Sequence, residues 1–173
     1  MAQITPEQTT KAIHPVLGIM GGLGPAASCY LYQMITDHTP AQKDQDHIDI
    51  VISSRASTPD RTAFIVGKSK DDPFDVMEQD GISLVRYGAT VLAIACNTAH
   101  YFLPRLQAMT KLPFISMLEA TAKTCAAQYP GRTAAVLATK GTLATGLYEQ
   151  ALAAQNVRCL IPDAGEQDVL MHL

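Results

Sequence analysis

Val91-Leu92-Ala93-Ile94-Ala95-Cys96-Asn97-Thr98-Ala99-His100 is the stretch that decides how this chain folds. An apolar run of this length, entered through Gly88-Ala89-Thr90, predicts a buried strand of a parallel sheet. Cys96 then stands where the strand ends, with a helix predicted over residues 98–109 in which Pro104 marks a kink or a short first segment. Ligands of open α/β sheets bind outside the carboxyl ends of strands, and a helix N-terminus offers free N–H groups to an anion. The thiol is therefore placed for chemistry. The plainer alternative is a buried packing cysteine.

Outward from this point the pattern alternates strand and helix. Val16-Leu17-Gly18-Ile19-Met20 predicts a strand that runs into the turn Gly21-Gly22-Leu23-Gly24-Pro25. A helix follows from about Ala26, with Ala27, Tyr30, Leu31, Met34 and Ile35 on its apolar face. Further strands are predicted at residues 48–53, 112–116, 134–138 and 157–161. Helices are predicted at 62–66, from Asp71-Asp72-Pro73 to Gly88, at 119–128, after the loop 139–142 to about 155, and from Glu166 onward. This alternation predicts a parallel, doubly wound α/β fold, preceded by a mobile polar tail over residues 1–12.

Bulk properties exclude several classes. A net charge of −3 with no long basic run argues against a nucleic-acid partner. No stretch reaches the roughly 20 apolar residues of a membrane span, and the N-terminus has no signal-peptide core. Cys29, Cys96, Cys125 and Cys159 form no C-x-x-C pair and no zinc-type spacing, so a cytoplasmic protein with reduced thiols is expected. The three cysteines other than Cys96 lie in apolar patterns and read as packing residues.

Several local motifs admit more than one reading. Gly22-Leu23-Gly24-Pro25-Ala26-Ala27 satisfies G-x-G-x-x-A, with Arg55 available for the 2′-phosphate of NADP. A turn whose N–H groups wrap a small carboxylate is the more economical reading. Gly67-Lys68-Ser69 ends like a P-loop, but Thr62 occupies the required upstream glycine position. Arg61 is a natural carboxylate partner, or else a surface residue paired with Asp60. His100 is a nucleophile's partner for Cys96 or a structural histidine, and adjacency in sequence favours the latter. Residues 19–24 and 137–142 form a faint repeat, and the same offset places Tyr30 on Tyr148.

Together GIMGGLGPAAS (18–28), DQDHIDI (44–50), TPDRTAFI (58–65), ACNTAH (95–100), SMLEAT (116–121) and LATKGTLATGLY (137–148) resemble the aspartate/glutamate racemase superfamily, specifically its aspartate racemases. The resemblance implies two similar racemase-type α/β domains with parallel doubly wound sheets, a first over 13–117 and an incomplete second over 118–173. It implies no cofactor, and it allows a homodimer. The implied reaction interconverts L- and D-aspartate, or a related acidic amino acid, through two cysteines on opposite faces of the α-carbon. Cys96 matches the first catalytic cysteine. Pro59, Asp60, Arg61, Asn97, Thr98, Ala99, Gly22, Thr139, Thr142 and Asp168 match the positions that contact substrate or line the cleft, with Arg61 as the cation.

Two departures matter. The G-C-T-E motif that carries the second cysteine has no counterpart before Leu173, and Cys159 stands in the wrong place. In addition, Glu166-Gln167-Asp168 lacks the basic residue often found in the corresponding E-Q-K-D segment, and Asp168 is expected to repel a dicarboxylate. A truncated product is the expectation that follows, with Val169, Leu170, Met171 and Leu173 leaving apolar surface exposed and activity reduced or absent. A non-catalytic protein that binds acidic amino acids is the alternative.

Overall fold

A computed structural model describes residues 14–172. The expected tail over residues 1–12, and Leu173, lie outside the described residues. The first sheet has the order β2-β1-β3-β4, built from β1 (Val16–Gly21), β2 (Asp49–Ser54), β3 (Val91–Ile94) and β4 (Phe114–Ile115), all parallel.

Successive side chains of a strand point to opposite faces, and the sequence exploits this. Leu17, Ile19 and Ala95 turn to one face, where Leu31 and Ile35 of α1 (Pro25–His38) pack on them. Met20, Leu92 and Ile94 turn to the other. There they meet Met77 and Leu84 of α3 (Phe74–Arg86) and Leu106 of α4 (Leu103–Thr110). Met77, Leu92 and Leu106 have no exposed surface, and each such burial contributes roughly 1.5–3 kcal/mol. Helices on both faces of a parallel sheet make this part doubly wound.

The second sheet pairs β5 (Thr133–Ala135) with β6 (Arg158–Leu160), again parallel. Its inner face, carrying Ala134, Val136 and Cys159, packs on α5 (Met117–Gln128) and α7 (Leu147–Ala154). Its outer face carries Leu137 and Leu160, both more than 60% exposed. Val169 and Met171, in and after α8 (Ala164–Leu170), are exposed as the sequence predicts, whereas Leu170 is half-buried.

Four local expectations are corrected. The segment after Cys96 opens as a 3-10 turn over Thr98–Phe102, and α4 begins only at Leu103. Pro104 has no N–H to give His100, so an α-helix restarts with proline in its first turn. The single helix expected after the loop 139–142 is two helices, α6 (Lys140–Ala144), which already includes residues 140–142, and α7, because Gly146 adopts a left-handed φ of 63° between them. On α1, Ala27 and Tyr30 are exposed rather than on the buried face, and Cys29 is exposed rather than packed.

Candidate active site

The carboxyl ends of β1, β3 and β5 open onto a cleft of about 420 Å³. The first sheet contributes Leu23 from the β1 turn, Asp60, Arg61 and Thr62 around the start of α2 (Arg61–Ile65), and Cys96, Asn97 and Thr98 after β3. Met117, Leu137, Ala138, Thr139 and Thr142 close the other side. Cys96 is half-buried, at the end of the central apolar strand.

His100 fixes this turn and is not paired with the thiol. Its Nδ1 lies 2.9 Å from the carbonyl of Cys96, and its Nε2 accepts from the N–H of Met117 at 3.2 Å. An Nε2 that accepts carries no proton, so the neutral ring donates from Nδ1. Burial lowers its pKa below the usual 6.5, which favours the neutral ring. The structural reading of His100 holds.

Threonine hydroxyls join the two sides of the cleft. Thr98 shares hydrogen bonds with Thr142 at 2.7 Å and Thr139 at 3.2 Å, and Thr139 accepts from the Thr142 N–H to cap α6. Thr62 donates to Thr139 at 3.5 Å. Gly141 permits this approach, since a Cβ there would stand 2.6 Å from the Thr62 hydroxyl and 2.7 Å from its Cα.

Arg61 lines the cleft without an ion-pair partner among the described residues. Its guanidinium donates to the carbonyls of Thr58, Pro59 and Leu23 at 2.9–3.1 Å, while its buried Nε has no acceptor. The pairing with Asp60 does not occur, because the Asp60 carboxylate accepts from Ala63 N–H and caps α2. Arg61 is therefore both a strut and a positive charge at the cleft.

Other expected site residues lie elsewhere. Gly22 does not line the cleft. Its N–H donates to Ser28 at 2.9 Å, and at φ 81° it lets the turn pass so close to Arg55 that a Cβ would stand 2.2 Å from the Arg55 nitrogen. Ala99 is fully buried in the first core, and Pro59 contributes only its carbonyl to Arg61. Asp168 is ion-paired with Lys140 outside the cleft lining, and that partner holds its carboxyl below the ordinary carboxylate range. Arg55 is committed to the buried Asp80, at 2.9 Å from Nε and 2.8 Å from Nη2, so it is not free for an NADP phosphate.

Reading the sequence missed Tyr148, whose phenol donates to Oδ1 of Asn97 at 2.9 Å, and Lys140. The faint repeat singled out Tyr148 without giving it a role. The lysine carried no signal apart from its place after Thr139.

A family profile described as Asp/Glu/hydantoin racemase matches residues 20–173. The chain belongs to that family. Among Asp/Glu/hydantoin racemases it is 26% identical over 162 residues to the broad specificity amino-acid racemase RacX of Bacillus subtilis, covering 89% of this chain and 67% of RacX. The aspartate racemase of Picrophilus torridus superposes with a TM-score of 0.79 and 28% identity, over 91% of this chain and 65% of that one. An aspartate racemase homologue from Pyrococcus horikoshii shares the fold, with a TM-score of 0.70 and 21% identity over 90% of this chain and 68% of its own. This chain thus spans about two thirds of the length of these racemase-family relatives.

Proposed function

We propose that this chain carries one half of a cofactor-independent amino-acid racemase site, with Cys96 as the acid/base thiol. The observation that carries the reading is the position of Cys96, half-buried at the end of β3 in a cleft between two sheets.

The Cys96 thiolate takes the proton from the substrate α-carbon: the C–H bond breaks, an S–H bond forms, and the electron pair spreads onto the α-carboxylate. The charge of Arg61, the Asn97 amide and the hydroxyls of Thr98, Thr139 and Thr142 surround the space where that charge develops. Returning the proton to the opposite face inverts the centre and needs a second donor. Among the described residues lining the cleft, Cys96 is the one thiol. Aspartate, or a related acidic amino acid, is the substrate the motifs imply, and the name of the Picrophilus relative supports it. Arg61 supplies the cation for one carboxylate.

Incubation in deuterium oxide with each enantiomer of an amino acid tests this reading. One enantiomer is expected to exchange its α-proton, and Cys96→Ala is expected to slow that exchange by about 100-fold or more. Exchange that survives the substitution overturns the assignment.

A further inference from the structure

His100 does more than hold its own turn. The buried ring spans two parts of the chain: Nδ1–H donates to the carbonyl of Cys96, and Nε2 accepts from the N–H of Met117. That N–H is the first of α5, and a helix gives its first N–H groups no partner of its own. Both residues the ring joins line the cleft. Cys96 follows the central strand β3 of the first sheet, whereas α5 packs Ala122 and Cys125 on the second. The imidazole therefore bridges the turn that carries the thiol and the helix that begins the opposite wall.

The two bonds respond differently to a proton. A protonated ring still donates from Nδ1 to Cys96, but its Nε2 then carries an N–H and faces the Met117 N–H, donor against donor. Buried donors without an acceptor are unfavourable, so the bridge opens at its α5 end. Burial resists this protonation, while the carbonyls of Cys96 and Asn97 and the charge of Glu119 promote it. Glu119 and Lys123 of α5 are the charged side chains that line the recess beside His100, and they pair with each other at 3.9 Å. Helices α4 and α7 line it with Leu103, Pro104, Leu147 and Gln150, none of which titrates. The turn itself carries the Cys96 thiol and the Tyr101 phenol, and α2, which touches it, carries Arg61. We infer, resting on the racemase reading of this site, that His100 is a positioning residue for its reaction: the neutral ring holds Cys96 and Met117 in place across the cleft, and protonation at Nε2 releases α5 and slows proton transfer at Cys96.

NMR of the 15N-labelled 173-residue protein and α-proton exchange of aspartate in deuterium oxide, both followed from about pH 8 to about pH 5, test this. The Met117 amide is expected to shift and lose protection with the same midpoint as the His100 ring. Alkylation of the Cys96 peptide gives the thiolate fraction, which accounts for part of the fall in α-proton exchange on acidification. A further fall of about tenfold is expected with the His100 midpoint. His100→Ala removes both bonds and is expected to lower exchange about tenfold at about pH 8. In His100→Gln the amide oxygen accepts from Met117 at every pH, so this variant is expected to recover part of that loss and to lack the further acid fall. A Met117 amide that ignores the His100 titration overturns the inference, even where His100→Ala does not fold. An exchange rate that follows the thiolate fraction alone, or a further acid fall that persists in His100→Gln, overturns it too. These results leave the racemase reading standing as long as exchange depends on Cys96. Exchange that ignores Cys96→Ala removes that reading, and this inference with it.

Discussion

The phenol of Tyr148 donates to Oδ1 of Asn97 across 2.9 Å, tying a helix of the second sheet to the residue after Cys96. An amide whose oxygen is held this way keeps its NH2 free to donate, and Asn97 lines the cleft. The bond joins the helix packed on the second sheet to the turn after β3 of the first.

Tyr148→Phe keeps the ring in the second core and removes only the hydroxyl. Loss of one such bond costs about 0.5–1.5 kcal/mol, so amino-acid binding is expected to weaken roughly two- to tenfold with little change in melting temperature. Titration calorimetry and a thermal melt measure both. The effect is expected to vanish in an Asn97→Ala background, and its persistence there assigns Tyr148 another role.

His100 makes stability depend on pH. Burial lowers its pKa in the fold, whereas the unfolded chain titrates near 6.5. Below that value the unfolded state binds more protons, so the contribution is complete above pH 6.5 and shrinks on acidification toward the lower folded pKa. Melting temperature is expected to fall between about pH 7 and about pH 5, and His100→Gln to flatten that slope. An equal slope in both proteins counts against this account.

Gly141 and Gly24 form a matched pair of sites. Ala at 141 drives a methyl into Thr62, including its backbone, and is expected to cost about 1–3 kcal/mol in urea unfolding. A Cβ at Gly24 meets nothing within 4 Å, and the backbone there is extended, so Gly24→Ala is expected to change stability by less than about 0.5 kcal/mol. Equal effects at both sites count against the close α2–α6 approach.

Arg61→Lys preserves the charge and loses the fork. A single ammonium does not span the carbonyls of Leu23, Thr58 and Pro59, so a loss of about 1.5–3 kcal/mol is expected from chemical denaturation. An unaltered midpoint shows that the strut contributes nothing.

Much of the fold was legible because its signals are local. Apolar runs gave the strands, and Pro25 and Gly88 marked a helix start and stop. The Cys96 motif drew attention to the right turn for the same reason. Misreadings arose where partners are distant in sequence. Gly22 faces Ser28 and Arg55 rather than a ligand, and Arg55 meets Asp80 from a helix 25 positions away. The exposure of Cys29 and Tyr30 depends on which face of α1 the sheet covers, which spacing alone left open.

By itself the sequence determined the alternation of strands and helices, the strand-end thiol and the family, because hydrophobic period and motif are written along the chain. Tertiary structure alone decided which charges face the cleft. Arg61 bonds to carbonyls, Asp60 to its own helix, and Lys140 to Asp168, 28 positions away. Electrostatics depends on distance through space, and only the folded chain sets that distance.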